Sequence, residues 1–194
     1  MKKLVVALAL SSACVVAAKQ PTLLDELSRA IQARTDKAPA TAQIETAFSP
    51  DGAAERLILK LINTSQNNIR LAAYSFTSPQ VVRALINAKR RGVDVRVVVD
   101  EKGNASKSGI SALNLLANAG IAVRTNGKYA IHHDKYIISD GLHVQTGSFN
   151  YSRAAAASNS ENVIVIWHNA DVAASYARHW QSRFNEGKVY RPPY

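Results

Sequence analysis

The sequence predicts a single α/β domain, built on a mixed, mostly parallel β-sheet flanked by helices. Three observations carry this. Residues 93–99 are a β-branched run apolar enough for a buried central strand, and residues 69–74 read as a further strand. Segments with apolar residues at helical spacing separate them, the alternation that parallel strands require. After residue 130 the pattern changes to strand-like runs with only turn residues between them. The 194 residues are 47% hydrophobic and 20% charged, which fits one globular domain and excludes a disordered chain. No internal repeat or low-complexity tract interrupts it.

In chain order, residues 43–48 form the first short strand. Residues 54–64 form a helix with Leu57, Ile58, Leu61 and Ile62 on one face, and 69–74 the next strand. Ser78-Pro79 opens a second helix, the serine capping and the proline sitting in the first turn, where its missing N–H costs nothing. Val81, Val82, Leu85 and Ile86 are its buried stripe, and Gly92 follows its basic end, Lys89-Arg90-Arg91. Residues 93–99 are a central strand, 108–118 a helix and 121–124 a strand. Residues 132–139 and 144–148 are neighbouring strands joined at Asp140-Gly141, a turn dipeptide. Residues 161–167 are a further strand. The last helix covers 171–184, with Val172, Tyr176, Trp180 and Phe184 spaced four apart.

The N-terminus reads as a signal peptide over residues 1–18. Lys2 and Lys3 are its basic region, residues 4–10 its apolar stretch, and Val16-Ala17-Ala18 its cleavage region before Lys19. This predicts a periplasmic or secreted protein. Cys14 is the only cysteine, so the mature chain has no disulfide. Lipoprotein processing at Ser11-Ser12-Ala13-Cys14 ranks second, because Ser11 stands where an aliphatic residue is usual. Residues 19–42 are an arm, with Leu23, Leu24, Leu27 and Ile31 at helical spacing and a linker around Pro39. It is read as a tether, with packing on the domain or a partner chain as the alternative. The formal charge is +10; without Lys2 and Lys3, 22 basic residues face 14 acidic ones, leaving +8. Such a balance favours polyanions, either nucleic acid or an anionic membrane surface.

The chemistry concentrates at residues 133–140, His-Asp-Lys-Tyr-Ile-Ile-Ser-Asp. On a strand His133 and Lys135 project to the same face. An imidazole beside an ammonium is a poor core arrangement but a good phosphate site. The ring can attack phosphorus, and the cation offsets charge on the non-bridging oxygens. Gly147-Ser148-Phe149-Asn150 adds a second cluster, in which Asn150 can donate its amide N–H to a phosphoryl oxygen. Glu161 begins the next strand, where a carboxylate can hold one imidazole nitrogen protonated and leave the other free to attack.

The pattern H-x-K-x4-D followed by G-S-x-N resembles the phospholipase D superfamily. Residues 73–77, 89–95, Asn159-Ser160-Glu161-Asn162 and the tail around Trp180 are similar to its small bacterial Nuc-type endonucleases. The resemblance covers about 43–194, the catalytic domain, and leaves the arm out. It implies that His133 attacks phosphorus to form a phosphohistidine, that Lys135 and Asn150 bind the phosphoryl oxygens, and that Ser148 and Glu161 orient the histidine. Asp140 completes the catalytic motif in a more structural role. It further implies two motifs per active site. This chain carries one, so the implied partner is a second copy, with the site at the two-fold axis of a homodimer. No metal or other cofactor is implied.

Other histidines are read more plainly. His132 and His133 point opposite ways on a strand and are badly placed to chelate one metal ion. His143, His168 and His179 are taken as surface or packing residues, and Tyr74 and Phe76 as core and site-wall residues. The predicted function is a metal-independent endonuclease cutting DNA or RNA. A phospholipase acting on membrane phospholipid head groups is the alternative within the same chemistry. A non-catalytic nucleic-acid-binding protein is the alternative from another class.

Overall fold

Three valines alternate with a fourth along the central strand, and that alternation sets the two faces of the sheet. Val95, Val97 and Val99 belong to one apolar cluster, Val98 to the other. The computed structural model describes residues 22–24 and 43–193. The expected signal peptide, Cys14 and nearly all of the arm lie outside the described residues.

The strands are β1 (Gln43–Ser49), β2 (Asn68–Ala73), β3 (Asp94–Asp100), β4 (Ala122–Asn126), β5 (Lys135–Ser139), β6 (His143–Gly147), β7 (Glu161–Trp167) and β8 (Lys188–Val189). The helices are α1 (Ala53–Thr64), α2 (Pro79–Arg90), α3 (Lys107–Asn118), α4 (Arg153–Ala157) and α5 (Ala170–Glu186). The sheet order is β1-β7-β6-β5-β2-β3-β4-β8. It is the expected mixed sheet with flanking helices, but its parallel share is smaller than the sequence suggested. Only β2–β3 and β3–β4 pair in parallel; the other five pairings are antiparallel. The reason is topological. A parallel pair needs a crossover helix, and only α2 and α3 serve as crossovers between adjacent strands.

Helices α1 to α4 pack on one face, through residues such as Ile58, Leu85, Leu113 and Ala155. Helix α5 covers part of the other, with Ala173, Trp180 and Phe184 against Ala72, Val98, Tyr136, Ile138 and Val144. Trp180 is locked by donating its indole N–H to the Leu71 carbonyl, 2.9 Å. The capping expected of Ser78 is present, its hydroxyl accepting from the Val81 N–H at 3.3 Å.

Asp140 and Gly141 form the β5–β6 turn with φ of 56° and 64°, the left-handed pair of a type I′ hairpin. The Asp140 carboxylate accepts the backbone N–H of Gln66, Asn67 and Asn68 at 2.7–2.9 Å. Partial burial pushes its carboxyl up, but these bonds outweigh that and hold it below the usual aspartate value. A lowered folded-state pKa adds stability that is present above the unfolded value and lost as pH falls through the folded one. Asp140→Asn keeps the left-handed backbone and removes the charge. It is expected to cost about 1 kcal/mol at pH 7, since the site is largely solvated. The difference from wild type should begin to narrow near pH 4 and go on shrinking as pH falls through the lowered folded-state value. Paired urea titrations at pH 7 and pH 3.5 check this; an equal deficit at both would remove the charge from the explanation.

Candidate active site

Four strand ends converge at one edge of the domain. β2 and β6 finish there, and β5 and β7 begin there. The register pairs Ala73 with Lys135, Tyr136 with Thr146, and Gly147 with Val163. Tyr74, His133, Lys135, Ser148, Asn150 and Glu161 are thereby brought to neighbouring positions around that edge. Asp140 is not among them. It lies at the opposite end of β5, about 16 Å of extended chain from Lys135.

The expected strand over 132–139 begins only at Lys135. The preceding residues leave the ladder because a buried carboxylate captures the chain. Asp100, at the end of β3, accepts the His132 N–H at 2.8 Å and the Gly103 N–H at 2.6 Å. His133 is thus presented from a held, non-strand segment, and its side chain is exposed. The Tyr74 ring flanks the imidazole, centroids 4.8 Å apart and planes 58° to one another. Tyr74 is the expected site wall, and Phe76 is fully buried in the core.

Lys135 is buried, at 8% exposure. Its Nζ donates to the His133 carbonyl at 3.1 Å and stands 5.4 Å from the centre of the Tyr74 ring. Burial draws its pKa down, while the carboxylates of Glu161 and Asp134 push it back up. A desolvated ammonium of this kind gains most from an arriving anion, because little water has to be displaced.

Ser148 and Asn150 alternate with Phe149 and Tyr151, which are fully buried and pin the loop. Ser148 Oγ donates to Glu161 Oε2 at 2.6 Å and accepts the Asn162 N–H at 3.0 Å. Glu161 Oε1 accepts from Asn159 Nδ2 at 2.9 Å. Within one chain, then, Glu161 holds Ser148 and Asn159, and no hydrogen bond joins it to the His133 ring as the sequence suggested. The Asn150 Oδ1 atom is buried without a hydrogen-bond partner, a state that native interiors rarely leave unexplained. Gly147 has φ 150°, and a Cβ there would run into the Asn162 carbonyl. Only glycine lets β6 turn into this loop against β7.

Residues outside the sequence reading complete the frame. Asn104, 2% exposed, donates from Nδ2 to the carbonyls of Tyr74 (2.7 Å) and Asp100 (2.8 Å), and accepts the Phe76 N–H (2.8 Å). It ties the Tyr74 wall to the strand that holds His132. The only sequence signal was polarity at the end of an apolar strand. His132 is buried, with Nε2 2.9 Å from Asp134 Oδ2. Burial pushes the Asp134 carboxyl up, but His132, His179 and Arg183 together bring it below its ordinary value.

His179, taken from sequence as a surface or packing residue, is exposed, and it also lines the cleft beside His133. Its Nδ1 is 2.9 Å from the Tyr136 hydroxyl and 3.9 Å from Asp134. His143 and His168 do pack together away from the site, rings 4.7 Å apart. The cleft holds about 350 Å³ and is bounded by His133, Lys135, Gly147, Tyr176 and His179. A second cleft of about 300 Å³ lies alongside and shares His133, Asp134 and His179 with it.

An exposed imidazole beside a buried ammonium, at one edge of a mixed sheet, offers a nucleophile and a cation to a phosphodiester. Residues 58–185 match the family described as cardiolipin synthase, PLD-like domain, and the chain belongs to the phospholipase D superfamily, as one of its phosphodiesterases. Among solved structures it is similar to Nuc from Salmonella typhimurium, a phospholipase D family member. That likeness has 47% identity and a TM-score of 0.77, covering 77% of this chain and 99% of that one. A protein of Rickettsia bellii named phospholipase D is 38% identical over 141 residues, 73% of this chain and 69% of its own. The mitochondrial cardiolipin hydrolase of Xenopus laevis is 34% identical over 134 residues, 68% of this chain and 62% of its own.

Proposed function

We propose that the protein is an exported endonuclease that cuts DNA, with RNA as a further substrate, through a phosphohistidine on His133. The observation that carries this is the exposed His133 imidazole beside the buried Lys135 ammonium. An unprotonated ring nitrogen of His133 attacks phosphorus, so that a P–N bond forms and a P–O bond breaks. Lys135 and Asn150 take the non-bridging oxygens. The departing oxygen needs a proton, and the subsequent water needs a base. Both are supplied by His133 of a second copy in a homodimer. A bare apolar sheet face supports that assembly. Ile44 and Phe48 on β1 are each 61% exposed. Ile44 pairs with half-buried Ile166, and Ile164 stands beside Thr146, which lines the cleft. A second chain packed on this face would bring its own site close to the first. A net charge of +8 without Lys2 and Lys3 favours a polyanion, as does the polar lining of the cleft.

The phospholipase reading rests on the names of the Rickettsia and Xenopus relatives. Plasmid DNA and short-chain phosphatidylcholine, each offered to purified protein in EDTA, separate the two. The expected result is nicked plasmid at an undiminished rate in EDTA. Among the described residues no three His, Cys, Asp or Glu side chains cluster as a metal site requires. Lipid turnover with intact plasmid would reverse the substrate assignment. Loss of all activity in EDTA, restored by added metal, would remove the metal-independent mechanism.

A further inference from the structure

We infer that His179 and Arg183 form a subsite for the phosphate next to the scissile one in a polynucleotide strand. This rests on the endonuclease reading and adds to it where the rest of the strand is held. The two clefts share His133, Asp134 and His179 and so adjoin at the nucleophile. A chain cut internally has to enter and leave the site. A single blind pocket would instead suit one head group.

The second cleft is lined by Tyr129, Ile131 and Arg183 besides the shared residues. His179 and Arg183 are four apart on α5, hence on one face and about 6 Å apart along the axis, the scale of one nucleotide of backbone. Ile131 is the only aliphatic side chain there among the described residues. A phospholipid tail would find little apolar surface in that direction, and a second phosphate would find donors.

The donors follow from the hydrogen bonds. The Tyr136 hydroxyl is largely buried, and burial pushes its pKa far up, so it keeps its proton. Among the described residues its hydrogen-bond partner is His179 Nδ1. When the hydroxyl donates to the neutral ring, the ring's own hydrogen sits on Nε2. When His179 is protonated, Nε2 carries hydrogen as well. In both of these states Nε2 is a donor, and the side chain is 41% exposed.

Arg183 lies over the Tyr129 ring, 4.5 Å from its centre. Its hydrogen bonds all come from Nη1, to Ser182 Oγ at 3.2 Å and Glu186 Oε2 at 3.5 Å. Glu186 is more closely engaged by Lys128 and the Tyr129 hydroxyl, both at 2.7 Å. The remaining guanidinium donors have no hydrogen-bond partner among the described residues and can take an anion. The Asp134 carboxylate also borders the groove, and its Oδ2 is turned to His132 Nε2 at 2.9 Å.

The test compares oligothymidylate, which carries neighbouring phosphates, with bis(p-nitrophenyl) phosphate, which has none. For Arg183→Gln and His179→Gln, the ratio of kcat/KM on the oligonucleotide to that on the aryl diester should fall about tenfold, chiefly through KM. Arg183→Lys should recover most of the ratio. In the His133→Asn background, Arg183→Gln should also reduce the salt slope of oligothymidylate binding by about 0.7. A purely structural residue would lower both substrates together and leave the slope alone, and that outcome overturns the subsite. If unmodified protein hydrolyses phosphatidylcholine but neither binds nor cuts oligothymidylate, the endonuclease reading fails first and the subsite with it.

Discussion

Replacing His133 with asparagine should abolish turnover of every phosphodiester the enzyme accepts, by at least ~10⁴-fold, while the fold stays intact. The argument has two halves. Chemically, asparagine fills much of the same space but cannot attack phosphorus, so no covalent intermediate forms. Structurally, the His133 imidazole is exposed and makes no side-chain hydrogen bond among the described residues, while its backbone segment is held through the neighbouring His132 N–H by Asp100. Removing the ring therefore opens no cavity and leaves no buried polar group unpaired. Stability should stay within about 0.5 kcal/mol of wild type. Release of nitrophenolate from bis(p-nitrophenyl) phosphate reads the first half, and thermal melting with the sedimentation profile reads the second. Near-normal turnover would take His133 out of the mechanism. Lost turnover with a collapsed melting transition would make it a structural residue instead.

Much of the site was legible because its pieces are local. Residues 133–135 and 147–150 are close enough in sequence to stay together although His133 precedes β5 and Ser148 and Asn150 follow β6, and strand β7 falls where its Val/Ile pattern put it. The same spacing separates Asp140. Seven positions beyond His133 on extended chain is the far end of the strand, so the motif's aspartate and histidine cannot meet. What remained hidden depends on tertiary contacts. Asp100 and Asn104 act on backbone groups about 30 residues away in sequence, and no periodicity announces that. His179 lies on a helix whose strongest pattern, Trp180 and Phe184 four apart, marks the buried stripe. Tyr176, His179 and Arg183 form the adjoining face, which gains meaning only when α5 is laid beside β5. The parallel content was overestimated because β1, separated from β2 by a helix, falls within the strand–helix alternation that suggests parallel neighbours, yet it pairs antiparallel with β7 at the sheet edge. The five-residue α4 and two-residue β8 are too short for any period to show.

A mixed dimer, one chain normal and one carrying His133→Ala, should lose DNA cleavage by the ~10²–10⁴-fold that follows loss of a general acid. It retains one imidazole where the proposed site uses two. That imidazole can still attack phosphorus, but the alkoxide of a nucleotide leaves poorly without a proton, and nothing remains to supply one. A p-nitrophenyl diester is different, because its phenolate leaves unaided. The mixed dimer should release one equivalent of nitrophenolate per remaining histidine and then stall, since the base that would activate water is also gone. The stalled species should carry label on the normal chain, labile in acid and stable in base, as a phosphoramidate is. Differently tagged chains, co-expressed and purified through both tags, give the mixed species free of either parent. The bare face of β1 and β7 enters through the same preparation: charges introduced at Ile44 and Phe48 should prevent its recovery, because both side chains are proposed to be covered by the second copy. If the mixed dimer instead keeps half of the wild-type DNA-cleaving rate, each chain holds a complete site of its own. The second proton donor must then be sought within one chain, and the two-histidine arrangement is wrong.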